Sequence, residues 1–179
     1  MHSEYLDIFT VTDYYGKEVH SYEFISSGKQ RIIFKRLAFT PTQVPYIYNL
    51  SFGDITPGGV MDILAISDNG DTDLILEIIE YAIMSYMEKF PERWVFCWSF
   101  SKVRMRLFRR RIVQRFEELS PHVHIYGEIQ GKMYPFRENL PLESILFKKR
   151  TSDLIQVPDA PKHIMGKGVI WVRGRWVGV

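Results

Sequence analysis

The chain holds one cysteine, Cys97, in 179 residues. A single thiol cannot close a disulfide within the chain or build a cysteine-rich zinc site, and such usage suits a reducing compartment. An excess of charge of either sign is missing too: 23 lysines and arginines stand against 21 aspartates and glutamates, a formal net charge of +2. No global field draws such a chain onto nucleic acid or lipid, so any binding of that kind has to come from local clustering. Long apolar runs are absent. The longest candidate, Leu74 to Met87, is interrupted by Glu77 and Glu80 and falls short of the roughly 18 uninterrupted apolar residues of a membrane span. Met1 to Thr10 carries Glu4 and Asp7 where a signal peptide has positive charge followed by an apolar stretch, so the expected location is the cytoplasm, with no membrane partner. There is no P-loop, no G-x-S-x-G elbow, no dinucleotide fingerprint and no internal repeat, and no cofactor is expected.

What is present is an ordinary globular composition, 46% hydrophobic and 25% charged, enough for a core that needs neither metal nor disulfide. Tyr22 to Ser26, Gln30 to Phe39, Tyr46 to Phe52 and Val60 to Ser67 are rich in β-branched and aromatic residues and read as strands. Ser26-Ser27-Gly28-Lys29, the Pro41 and Pro45 pair, and Thr56-Pro57-Gly58-Gly59 separate them as turns. Alternation places Tyr46, Tyr48, Leu50 and Phe52 on one strand face, whereas the inward face of Arg31 to Leu37 is ambiguous. The period then becomes helical. Leu74, Ile78, Ala82 and Tyr86 recur beside Ile75, Ile79, Ile83 and Met87, with Asp71 as N-cap and Pro91 as terminator. Trp94 to Phe100 is a continuous apolar strand suited to the middle of a sheet. Met105, Phe108, Ile112, Phe116 and Leu119 mark a second amphipathic helix closed by Ser120-Pro121. His122 to Ile129, a turn at Gly131-Lys132, Met133 to Phe136 and Leu142 to Phe147 complete the pattern. The expected fold is α+β: a single antiparallel or mixed sheet, in the order ββββ-α-β-α-ββ, with two main helices packed on it. Residues 1–150 are expected to form one domain. Residues 151–179, rich in proline and glycine, form a tail with a hairpin around Arg173-Gly174, whose Trp171 and Trp176 either dock on the domain or meet a partner.

The densest chemistry lies on the second helix. Lys102, Arg104, Arg106, Arg109, Arg110, Arg111 and Arg115 occur with no acid before Glu117. Guanidinium forks match phosphate oxygens, so a helix presenting several of them can follow a nucleic-acid backbone. The competing reading pairs them with Asp71, Asp73, Glu77, Glu80 and Glu88 of the first helix, or leaves them solvated. Ser99 and Ser101 stand where the central strand passes into the basic helix, a place where open sheets bind ligands; the simpler reading of Ser101 is the helix cap. Asp54, Asp68 and Asp71 are candidates for metal or general-base work, against which a turn plus an N-cap accounts for most of Ser67 to Asp71. His122, His124 and Glu128 share a face of a regular strand and imitate the first metal motif of cupin barrels. Pro135 stands where the later glycine belongs and no second motif follows, so no metal site is expected and the histidines read as surface groups. Cys97, inside an apolar strand, reads as a buried, inert thiol.

Three motifs carry a resemblance. Tyr48-Asn-Leu-Ser-Phe-Gly-Asp54, Ser67-Asp-Asn-Gly-Asp71 and Arg104-Met-Arg-Leu-Phe-Arg109, in that order, resemble the hallmarks of a family of small uncharacterised bacterial proteins. It spans about Glu23 to Lys149 and leaves the tail outside. It departs at Trp98, which stands where a small glycine is expected, at Met105 in place of threonine and at Phe108 in place of tyrosine. The resemblance implies where the site lies and brings no activity with it. The element order from Tyr46 to Phe136 is also similar to the core of GNAT-type acyltransferases. The stretch that would take their pyrophosphate, Ser67 to Asp71, has acids where that family has its glycine signature, which opposes binding of coenzyme A.

The function expected from these residues is binding of an anionic partner, RNA or DNA, through the basic helix 102–115, as a component of a bacterial toxin-antitoxin or defence-type pair. One alternative is an enzyme with a phosphate, nucleotide or acyl-transfer pocket at the same residues. Another is a protein-interaction module whose tail engages a small protein partner. Monomer and homodimer are equally compatible with the sequence.

Overall fold

The first third of the chain, with its β-branched and aromatic residues, folds as β1 (Asp7–Thr12), β2 (Glu18–Ser27), β3 (Ile32–Pro41), β4 (Ile47–Ile55) and a two-residue β5 (Met61–Asp62). Then come α1 (Thr72–Lys89), β6 (Trp94–Trp98), α2 (Lys102–Leu119), β7 (Val123–Ile129), β8 (Lys132–Pro135) and β9 (Ser144–Lys149), followed by β10 (Val169–Val172) and β11 (Arg175–Gly178). This computed structural model describes residues 7–12, 18–29, 31–151, 157–158, 169–172 and 175–178, with the strands at 7–12, 169–172 and 175–178 described by backbone alone. The architecture is α+β, with one mixed sheet and two helices. Strand order is β1-β2-β3-β4-β6-β9-β7-β8, with β5 paired to β4 off that path. The expected element order stands, and β1, which the sequence reading left out, is added ahead of it. β6 lies between β4 and β9, the inner position its unbroken apolar run suggests.

Local details differ from the expectation at three places. The strand expected from Val60 to Ser67 stops after Asp62, because Asp62 Oδ1 accepts from the amides of Leu64 at 2.9 Å and Ala65 at 3.1 Å and turns the chain. In α1 the expected Ile79, Ala82, Ile83, Tyr86 and Met87 are buried and Leu76 joins them, while Leu74 in the first turn is exposed. Tyr46 is exposed with φ 63°, and Ile47 enters the core. The β7–β8 hairpin turns on Gln130 and Gly131, both at positive φ, between the paired Ile129 and Lys132. That is the two-residue turn whose twist suits the flanking strands.

The chain forms two compact units: Met1–Pro41 with Leu50–Ala82 and His163–Val179, and Thr42–Asn49 with Ile83–Lys162. In the first, Tyr22, Phe24, Ile33, Leu37 and Phe39 are buried, and Val19, Ala38 and Met61 pack together with Ile63. In the second, Ile47, Trp94, Phe96 and Leu146 form a cluster joined by Val44, Trp98, Tyr126 and Met133. Val95 and Cys97, the alternate residues of β6, are buried as well, so that strand is covered on both faces. Arg93 fixes the end of α1 in the second unit. Its guanidinium lies 3.8 Å from the Phe90 ring centroid and 4.4 Å from that of Tyr48, and it donates to the Tyr86 hydroxyl at 2.8 Å. Among the described residues no helix is long and apolar enough to cross a membrane.

Candidate functional site

The candidate acidic residues Asp54, Asp68 and Asp71 belong to the first unit. Asp54 lies on β4, and its Oδ1 accepts a hydrogen bond of 2.6 Å from Lys35 Nζ, which also donates to Ser67 Oγ at 2.8 Å. Lys35 is 1% exposed and Asp54 15%, so this ion pair is largely out of water. The lysine sits among aromatic rings: Nζ is 5.4 Å from the Phe52 centroid, and Phe52 stacks on Phe24, the partner of Lys35 across β2 and β3. Phe52 and Asp54 from one motif and Ser67 from the other thus meet on a single buried ammonium. Sequence reasoning missed Lys35. The signal was there in the uneven alternation of Arg31 to Leu37, where Ile33, Lys35 and Leu37 turn inward and Ile32 and Phe34 outward. Gly53 allows β5 to close on β4, since a Cβ there would lie 2.3 Å from the Asp62 carbonyl oxygen.

The Ser67 to Asp71 loop packs on the turn end of the β2–β3 hairpin, beyond the last pair Ser27 and Ile32. Asn69 is buried; its Nδ2 donates to Ser26 Oγ at 2.9 Å and to the Arg31 carbonyl at 2.8 Å. Its Oδ1 accepts from the Arg31 amide at 3.2 Å and its carbonyl from the Lys29 amide at 2.9 Å. Gly28 faces that carbonyl so closely that a Cβ would lie 1.9 Å from it. Asp68 at φ 39° and Gly70 at φ 80° reverse the backbone on either side of Asn69. Asp71 accepts from Ser26 Oγ at 2.6 Å, and its carbonyl takes the first bond of α1, from Ile75. Of the three candidate aspartates, Asp54 and Asp71 are each held by a neighbouring donor and Asp68 is exposed.

The basic residues belong to the second unit. Ser101 caps α2, its Oγ accepting from the Arg104 amide at 3.3 Å, and Ser99 Oγ accepts from the Ser101 amide at 3.2 Å. Along α2 the buried residues are Met105, Ile112 and Leu119, one narrow seam seven residues apart. Lys102, Arg106 and Arg110 are exposed and four residues apart, so they form a stripe with steps of about 6 Å along the axis. Arg109 donates to the Leu140 carbonyl at 3.2 Å and Arg115 to Glu118 at 2.7 Å, while Arg104 and Arg111 are half-buried. The structure therefore divides the basic run into an exposed stripe, the half-buried Arg104, Arg109 and Arg111, and Arg115, which pairs along the helix with exposed Glu118. Just ahead of the helix, Phe100 is 40% exposed and stands edge-to-face with Trp98, ring centroids 4.3 Å apart, and Val103 is exposed in the first turn.

The histidine candidates lie elsewhere in this unit. His122 is exposed, and His124 stacks on Tyr126 opposite Lys148. Burial lowers the His124 pKa, and the charges of Arg150 and Lys148 lower it further. Glu128 is buried and accepts a short hydrogen bond from the Ser144 hydroxyl. Among the described residues no three histidine, cysteine, aspartate or glutamate side chains gather in metal-binding geometry. Burial pushes the Cys97 thiol up, away from the reactive thiolate. At the tail, β10 and β11 pair antiparallel up to Val172 and Arg175, which flank the anticipated turn. Arg173, Gly174 and the side chains of Trp171 and Trp176 lie outside the described residues.

A mixed sheet with two helices, a buried lysine bridging Asp54 and Ser67, and an exposed basic stripe on α2 characterise an α+β protein. The chain belongs to the family of unknown function DUF6934, whose family model matches residues 10–150. No curated protein and no solved structure matches it.

Proposed function

We propose that the chain binds nucleic acid through α2. The observation that carries this reading is the exposed stripe Lys102, Arg106 and Arg110 on a helix that buries only a three-residue seam and has no acid in its first turn. Cations at regular steps on a rigid helix neutralise successive phosphates and release their counterions. Phosphate contacts of this type position a backbone without reading sequence, so binding is expected to be tolerant of sequence. The test is fluorescence anisotropy of labelled oligonucleotides, titrated with the wild type and with the double variant Arg106→Ala, Arg110→Ala across a salt series. The wild type binds at low salt and the variant binds more weakly, with a shallower salt dependence. A wild type that binds neither single strands nor duplex at low salt overturns the reading.

A further inference from the structure

We infer that the nucleic acid taken by α2 is single-stranded, and that the Phe100 ring receives one of its unpaired bases. This deepens the reading above and rests on it. Three observations meet at the start of the helix. Phe100 is 40% exposed, a large apolar ring partly open to water two residues before the basic stripe begins at Lys102. It is also held: Trp98, at the end of the central strand β6 and packed with the second unit's core cluster, stands edge-to-face against it at 4.3 Å and 64°. Val103, one residue beyond Lys102, is 54% exposed and adds a second apolar side chain in the first turn of α2.

A cationic track that starts two residues after a positioned, partly exposed aromatic ring is a combination that suits single strands. Phosphates follow the cations, and a base freed from pairing presents its flat face to the ring. A duplex keeps its bases stacked inside and presents phosphates alone, so it engages Lys102, Arg106 and Arg110 and leaves Phe100 unused. The occupant is identified by charge complementarity together with the ring: a polyanion with exposed aromatic faces. RNA and DNA strands share that chemistry, and the experiment separates them.

The test titrates wild-type protein, Phe100→Ala, Phe100→Leu, Phe100→Trp and the Arg106→Ala, Arg110→Ala variant against labelled single-stranded DNA, single-stranded RNA and duplex DNA of one mixed sequence. Circular dichroism checks folding, and Phe100→Leu keeps the apolar volume should the alanine variant fail to fold. Wild type is expected to favour the single strands over the duplex. Phe100→Ala and Phe100→Leu are expected to lose about tenfold in single-strand affinity, with an unchanged salt slope and unchanged duplex binding. Phe100→Trp is expected to retain the affinity, a rescue that a merely structural role of the ring does not require. Preference of RNA over DNA, or the reverse, names the strand. Equal single-strand binding by wild type and a folded Phe100→Leu overturns the inference and leaves the binding reading standing if the arginine variant still loses affinity. Duplex binding without single-strand binding overturns it in the same way, and absence of all binding by wild type overturns both.

Discussion

Lys35 decides how Asp54 is to be understood. A lysine 1% exposed needs a counter-charge, and Asp54 supplies it from the adjoining strand. Breaking a buried pair on one side leaves the other charge stranded, whereas replacing both sides with apolar groups is often tolerated. Asp54→Ala is therefore expected to lower stability by about 3 kcal/mol or more, and the pair Lys35→Met, Asp54→Leu to recover most of the loss. Urea midpoints check this, and an Asp54→Ala protein as stable as wild type contradicts it. His124 gives a second outcome at this scale. Its folded pKa lies below the ordinary 6.5 because of burial and then Arg150 and Lys148, so the unfolded chain takes up the proton first. The His124 contribution is then complete above about pH 6.5 and is lost as pH falls from there through the folded value. His124→Gln is expected to flatten that acid limb, read as urea midpoints against pH.

At the scale of elements, α2 rests on a defined cap. Ser101→Ala is expected to cost about 1 kcal/mol, visible in thermal unfolding, while oligonucleotide affinity changes little because Ser101 Oγ already serves the Arg104 amide. The helix was legible in the sequence through its apolar spacing, its serine cap and the Ser120-Pro121 stop, and β6 through its unbroken apolar run. Periodicity registers such elements because their burial is one-sided or complete. It failed where a polar residue faces inward or a side chain redirects the backbone. Lys35 disguised the inner face of β3, and the Asp62 side chain ended β5 after two residues. The candidate site was readable to the same degree. Charge density located the basic helix, but which arginines face outward depended on the rotation of a seam only three residues wide, and Phe100 had no distinguishing pattern among neighbouring aromatic residues.

For the whole molecule, a net charge of +2 makes binding a local affair. A stripe of three cations predicts a slope of about −2 for log affinity against log salt on single strands, with a reduction of about 1 or more in the Arg106→Ala, Arg110→Ala variant. A slope far steeper than that means further cations take part. The loop from Ser67 to Asp71 has a kinetic consequence as well. The Lys29 and Arg31 amides in the turn of the β2–β3 hairpin both donate to Asn69, so their hydrogens can exchange with deuterated solvent only when the Ser67 to Asp71 loop lifts away. Their exchange rates measure the free energy of that opening alone, apart from global unfolding. Asn69→Ala is expected to speed exchange at Arg31 while leaving the amides of β9 at their wild-type rates. Lys29 and Arg31 at the hairpin turn thus become clocks for the Ser67 to Asp71 loop.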